Sequence, residues 1–130
     1  MVRVTAARTI TAAGAAITLC SLLAVGCGRP LQDLTGLESV QSVTSWLQLN
    51  GNKVITSMRG LENLAYVQNL EMVENPQLTT LSALGSVMHL SSLTASRNPR
   101  LPTCEVRALY RRAGGQELSV DGNNNTATCP

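Results

Sequence analysis

The chain has 130 residues and a formal net charge of +2. That is too small a basic excess for nucleic acid, where phosphate neutralisation by Lys and Arg supplies most of the affinity. Aromatic residues make up 2% and Phe is absent, so base-stacking platforms are excluded and the core must be aliphatic. A globule of this size is marginal on burial alone, and regular stacking, a disulfide or both are required.

The chain opens with Arg3 and Arg8, then carries no charge from Thr9 to Gly26. This is the pattern of a signal peptide over 1–26. The stretch Leu23-Ala24-Val25-Gly26 stands directly before Cys27. It resembles the lipobox of bacterial lipoproteins, with the Leu one place further from the cysteine than usual. The resemblance implies cleavage before Cys27, diacylglycerol attached to its thiol, and a membrane contact through that lipid. Gly28, in place of Asp, points by the same resemblance to the outer membrane. Two other outcomes remain open. An ordinary signal peptidase gives a secreted protein with a free Cys27, and an uncleaved run gives a membrane anchor. The Ala, Thr and Gly content of the run disfavours a permanent span. Export would remove Cys20 and leave Cys27, Cys104 and Cys129, an odd number in an oxidising compartment. Lipidation of Cys27 resolves this, and Cys104 can then pair with Cys129. Residues 27–30 form the tether and 31–130 the domain. Two of the ten basic residues lie in the leader, so eight remain against eight acidic ones.

The domain is written in 23-residue phrases. Asn52, Asn75 and Asn98 are evenly spaced, and Ile55, Leu78 and Leu101 follow them at one offset. Before each Asn stands Leu47/Leu49, Leu70/Met72 or Leu93/Ala95. A degenerate fourth copy has Leu118, Val120 and Asn123. Leu-x-Leu has the period of a strand with alternate residues inward. The Asn amide carries both donor and acceptor and can satisfy the turn and its neighbour. Stacked copies predict an Asn ladder at 52, 75, 98 and 123. Pro76 and Pro99 fix φ where the chain leaves the strand.

Upstream runs a phrase of period three: Leu34, Leu37, Val40, Val43; Met58, Leu61, Leu64, Val67; Leu81, Leu84, Val87, Leu90. This spacing predicts a short 3₁₀-like turn or a bent side of a solenoid, either with every third residue inward. Gly36 and Gly60 mark a tight bend or close approach, with Ala83 at the third place. No unit can bury its apolar side alone, so the units must stack. At the C-terminal end, Thr103 is the expected N-cap of a short helix. Glu105 near its start and Arg111 and Arg112 near its end suit the helix dipole. Val106, Leu109, Tyr110 and Ala113 make its apolar stripe, and Gly114 ends it.

The text "LTGLESVQSV…LQLNGN", "MRGLENLAYVQNLEMVENPQL", "LSALGSVMHLSSLTASRNPRL" and "LPTCEVRALY…LSVDGNN…C" resembles the receptor L-domain form of the leucine-rich repeat. It is closer still to the short repeats of bacterial surface lipoproteins that end in a cysteine-bridged helix. The resemblance spans about 31–130. It implies a mainly β, right-handed solenoid with parallel strands, about three 23-residue coils, and a helix-plus-disulfide cap. Three clear coils are fewer than a full receptor domain has.

In such a frame the residues between the inward leucines face outward in rows. Gln48, Glu71, Thr94 and Ser119 make one row, and Asn50, Val73, Ser96 and Asp121 the next. Trp46 with Asn69 and Ser92 extends the patch. The functional reading is a binding face anchored by Trp46, since tryptophan is enriched at interface hot spots. The competing reading is a solvated sheet face with Trp46 covering the open end of the stack. His89 is the sole histidine and has no partner at metal-ligand spacing, so neither metal nor cofactor is expected. Glu62, Glu71 and Glu74 occur singly rather than as an acid/base pair, and no phosphate loop or nucleophile elbow is present. The basic cluster Arg107, Arg111 and Arg112 reads as a solvated helix face or as a contact for lipid headgroups or an acidic partner. The expected function is a non-catalytic envelope lipoprotein that presents its domain to a protein or glycan. The alternatives are a structural protein that self-associates through the edge strands at 45–50 and 116–121, and a secreted binding protein.

Overall fold

The computed structural model describes residues 2–4 by their backbone and residues 32–129 in full. Its strands are β1 (Val2–Val4), β2 (Ser42–Asn50), β3 (Tyr66–Val73), β4 (His89–Ser96) and β5 (Glu117–Asp121). Strands β2 to β5 form a parallel sheet in chain order, and β1 lies parallel on the outer edge of β2. A 3₁₀ turn, Ser82–Ser86, precedes β4, and helix α1 (Thr103–Arg112) precedes β5. The chain is thus mainly β, with one helix among the described residues and a Cys104–Cys129 disulfide.

Residues 23 apart sit side by side. Leu47 pairs with Leu70 and Leu70 with Leu93, and Leu49, Met72 and Ala95 align in the next inward row. Strand β5 continues these rows with Leu118 and Val120. One irregularity interrupts the register. Val43 stands opposite Val67, yet Trp46 stands opposite Asn69. Strand β2 therefore holds one extra residue between these points, a β-bulge. It accounts for the 24-residue step from Leu34 to Met58, where later steps are 23.

The period-three phrase takes the 3₁₀-like form. The amides of Leu37 and Val40 donate to the carbonyls of Leu34 and Leu37, and Leu61, Leu64, Leu84 and Val87 repeat the pattern three residues back. Bonds of this span eclipse side chains at i and i+3. That places Leu34, Leu37, Met58, Leu61, Leu64, Leu81, Leu84 and Val87 in the core, with Val40 packed at its margin. At Gly60 φ is 104°, and a Cβ would lie 2.0 Å from the Leu34 carbonyl oxygen. Gly36 has φ 106° but open space at the Cβ position. The two glycines therefore serve different needs: both require the backbone conformation, and only Gly60 requires close approach.

The asparagines form the predicted ladder. The Oδ1 of Asn75 accepts from the backbone N–H and Nδ2 of Asn52, at 3.1 and 3.2 Å. Asn98 does the same for Asn75, and Asn123 for Asn98. Each Nδ2 then donates back to a strand carbonyl: Asn75 to Leu49, Asn98 to Met72, Asn123 to Ala95. All four are buried. The residue before each ladder Asn lies in the left-handed region: Gly51 at φ 71°, Glu74 at 58°, Arg97 at 56° and Gly122 at 64°. This turn is what swings each Asn amide inward. At Glu74 and Arg97 it is held against the steric preference of L-residues, and the two side chains pair at 2.7 Å.

The cap differs from expectation at one point. Pro102, not Thr103, is the N-cap, and no side chain caps the helix. Thr103 is the first helical residue, and its hydroxyl lies 2.6 Å from Asn125 Oδ1. The proline fixes φ one residue earlier than the Thr would have done. Glu105 reaches instead to the preceding segment, accepting from the Leu81 amide at 2.7 Å and the Thr80 hydroxyl at 3.1 Å. Val106, Leu109 and Ala113 are buried and Tyr110 packs against them. The helix ends in a Schellman arrangement, with Gly115 N–H donating to Tyr110 C=O at 2.9 Å and Gly114 N–H to Arg111 C=O. The disulfide joins residues 25 apart, worth about 3–4 kcal/mol in the chain-entropy model.

Two substitutions test this architecture. Asn75→Ala removes the partners of the Asn52 backbone amide and the Leu49 carbonyl, and chemical denaturation should show a loss of at least about 2 kcal/mol, from about 1–3 per buried unsatisfied group. Gly36→Ala should cost about 1–3 kcal/mol from its backbone conformation alone. Gly60→Ala should cost distinctly more, because the Leu34 backbone must also move.

Candidate functional site

The outward rows are assembled as the sequence places them. Gln48, Glu71, Thr94 and Ser119 stand in one line across β2 to β5, and Asn50, Val73, Ser96 and Asp121 in the next. Trp46, Asn69, Ser92 and Glu117 form a third. These residues are half-buried or exposed. Parallel sheets are as a rule covered on both faces. Here one face packs on the core, and the other presents amides, hydroxyls and the carboxylates of Glu71, Glu117 and Asp121.

Part of this face is committed to the fold. Asn50 Oδ1 accepts from the Val73 amide at 3.0 Å, and its Nδ2 donates to the Glu71 carboxylate. Asn69 Nδ2 donates to the Ser45 carbonyl at 3.3 Å. Gln48 is the exception, since its Oε1 is buried and has no hydrogen-bond partner among the described residues. Thr94 and Ser96 lie two strands away on β4, with Glu71 and Val73 of β3 between them and Gln48. Asn50 and Glu71 are therefore held in place, while Gln48, Thr94 and Ser96 carry the free polar capacity of the face.

The strand starts carry a feature that residue types alone do not mark. Tyr66 opens β3 and His89 opens β4, and they pair in register. Their rings stack with centroids 4.5 Å apart and planes 4° from parallel. Trp46, 36% exposed, stands mid-strand on β2 opposite Asn69, three residues beyond Tyr66 along β3, and Met88, 68% exposed, precedes His89. Among the described residues the large exposed apolar side chains are thus Trp46, in the middle of the β2 edge, and Met88, beside the stacked pair at the strand starts. The signal was present, because 66 and 89 are also 23 apart, but neither is a leucine or asparagine. Trp46 is partly open rather than fully seated over the end of the stack.

One carboxylate on the opposite side is electrostatically distinctive. Glu38 accepts from the Gly36 amide through both oxygens, at 3.0 and 2.9 Å. That amide holds its pKa below the usual carboxylate range. Glu62 repeats the contact to Gly60 at 2.8 Å.

Among the described residues no cluster of three or more His, Cys, Asp or Glu is arranged to hold a metal ion, and no helix is long and apolar enough to cross a membrane. Cys27, the expected lipid attachment point, lies outside the described residues, as does the leader apart from Val2–Val4. The edge expected at 45–50 is occupied in this structure by β1. Comparison with family models, with curated proteins and with solved structures gives no match.

Trp46→Ser separates anchor from seal. With Trp46 partly exposed, thermal unfolding should shift by only a few degrees, as expected for a change near 1 kcal/mol in a domain of this size. A collapse of the melting transition would make Trp46 a structural seal and remove it from the binding face.

Proposed function

We propose that this chain is an exported, non-catalytic envelope protein, cleaved after residue 26 and anchored through lipid on Cys27. Residues 31–130 form a short leucine-rich-repeat-like solenoid of about three coils, closed by the helix and its disulfide. Its outward sheet face binds a protein or glycan at the cell surface. The observation that carries the binding reading is a parallel sheet left open on one side, with its polar rows fixed by main-chain register. A surface of small polar groups bordered by Trp46 on the β2 edge and by the Tyr66–His89 stack at the strand starts offers hydrogen bonding at its centre and apolar contact at two margins. Aromatic anchors of this kind dominate interface energetics. The uncharged run from Thr9 to Gly26 behind Arg3 and Arg8, and its Leu-Ala-Val-Gly-Cys junction, support export and lipidation.

Two measurements on the full chain in bacterial envelopes test the halves of this reading separately. Metabolic palmitate labelling should mark the wild type and be lost in Cys27→Ser, and label that survives the substitution contradicts lipidation at Cys27. Affinity capture with a combined Gln48→Ala, Glu71→Ala and Thr94→Ala variant should recover fewer partners than the wild type. Equal recovery by both rules out the sheet face as the binding site.

A further inference from the structure

Three observations bear on the two ends of the sheet. First, the inward apolar rows run out at β5, where Leu118 and Val120 are only half-buried while Leu93 and Ala95 beside them are fully buried. Second, the edge of β2 accepts an extended segment in parallel register, as β1 does with Val2 on Leu47 and Val4 on Leu49. The sequence Val2-Arg3-Val4 has the same apolar-polar-apolar alternation as Leu118-Ser119-Val120. Third, the charges of the two ends are complementary. Glu105 and Arg112 hold α1 to the preceding segment, through Leu81, Thr80 and the Leu84 carbonyl. At 100° per residue, Arg107 and Arg111 lie on the side of the helix turned away from those contacts, and both are exposed. The positions matching Thr80, Leu81 and Leu84 in the first phrase are Asp33, Leu34 and Leu37, with Glu38 beside them.

We infer that copies of this chain associate end to end, with β5 and α1 of one copy seated on β2 and the 33–38 segment of the next. This rests on the proposed removal of residues 1–26, which takes β1 off the β2 edge. Continued in register, Leu118 meets Leu47 and Val120 meets Leu49, and the inward rows become continuous across the junction. On the outward face Glu117 meets Trp46, Ser119 meets Gln48 and Asp121 meets Asn50, so no like charges oppose one another. On the return side, Arg107 and Arg111 meet Asp33 and Glu38. The contact uses a different patch on each partner, so it propagates as a chain rather than closing as a dimer. Unpaired strand edges are templates for this kind of addition.

Sedimentation of the full chain in detergent tests the inference, using the precursor, the form processed in cells, and a Val2→Pro, Val4→Pro precursor whose β1 cannot donate to the edge. The processed form and the proline variant should assemble with rising concentration, and the unaltered precursor should stay monomeric. If no processing occurs but the proline variant assembles, the contact stands and the leader reading fails. Monomers in both open-edge forms overturn the contact. Two charge variants are then made in an open-edge form. One carries Arg107→Glu with Arg111→Glu, the other Asp33→Lys with Glu38→Lys. Each alone should sediment as a monomer, and an equimolar mixture should assemble again, because the altered ends match. A mixture that stays monomeric, or variants that assemble alone, would also overturn it.

Discussion

The hydrogen bonds of Asn75 and Asn98 hold this structure together. Each side chain accepts two bonds from the preceding Asn, donates back to a carbonyl of the preceding strand and donates forward to the next Asn. Three consecutive segments are therefore tied at each rung. Both residues are fully buried, where an unmatched amide is costly. Only one spacing between segments leaves every donor and acceptor matched, and that spacing is the strand register itself. The leucines supply most of the burial free energy, but they would tolerate a slip that the amides would not.

The ladder also dictates the neighbouring backbone. To turn the Asn inward, the residue before it adopts a left-handed conformation, even where that residue is Glu74 or Arg97. The ladder ends at Asn123, and there the chain changes device. Helix α1 replaces the 3₁₀ segment, Glu105 ties it to Leu81 and Thr80, and the disulfide holds the tail to the first turn of the helix. Each feature stops the last rung from fraying, which would otherwise expose the Ala95 carbonyl and the Asn98 amides.

Much of this was legible in the sequence because the constraint is periodic. Asn at a fixed interval, Leu-x-Leu before it and apolar residues every third place each correspond to one observed element. What was not legible breaks the period or carries no special residue type. The left-handed turn shows as glycine at 51 and 122, but Glu74 and Arg97 conceal it. The bulge in β2 appears only as a step of 24 in place of 23. The Tyr66–His89 stack arises from register, and the register had to be known first. Thr103 looked like a helix cap because of its chemistry, yet Pro102 had already fixed the turn. The outward rows were placed correctly, whereas the engagement of Asn50 with Val73 and Glu71 was not visible in residue types.

The same rigidity separates architecture from function. The asparagines and leucines that specify the fold are buried within it, so recognition on the sheet face falls to the small polar residues between them, to Trp46 and to the Tyr66–His89 stack. The most direct test of the account is native-state hydrogen exchange at the backbone amides of Asn75 and Asn98, which donate to the next Oδ1 in the ladder. The account predicts that both exchange only with global unfolding, at the free energy measured by denaturation. Exchange through local opening several kcal/mol below that value would contradict it and leave the leucine core alone to define the fold.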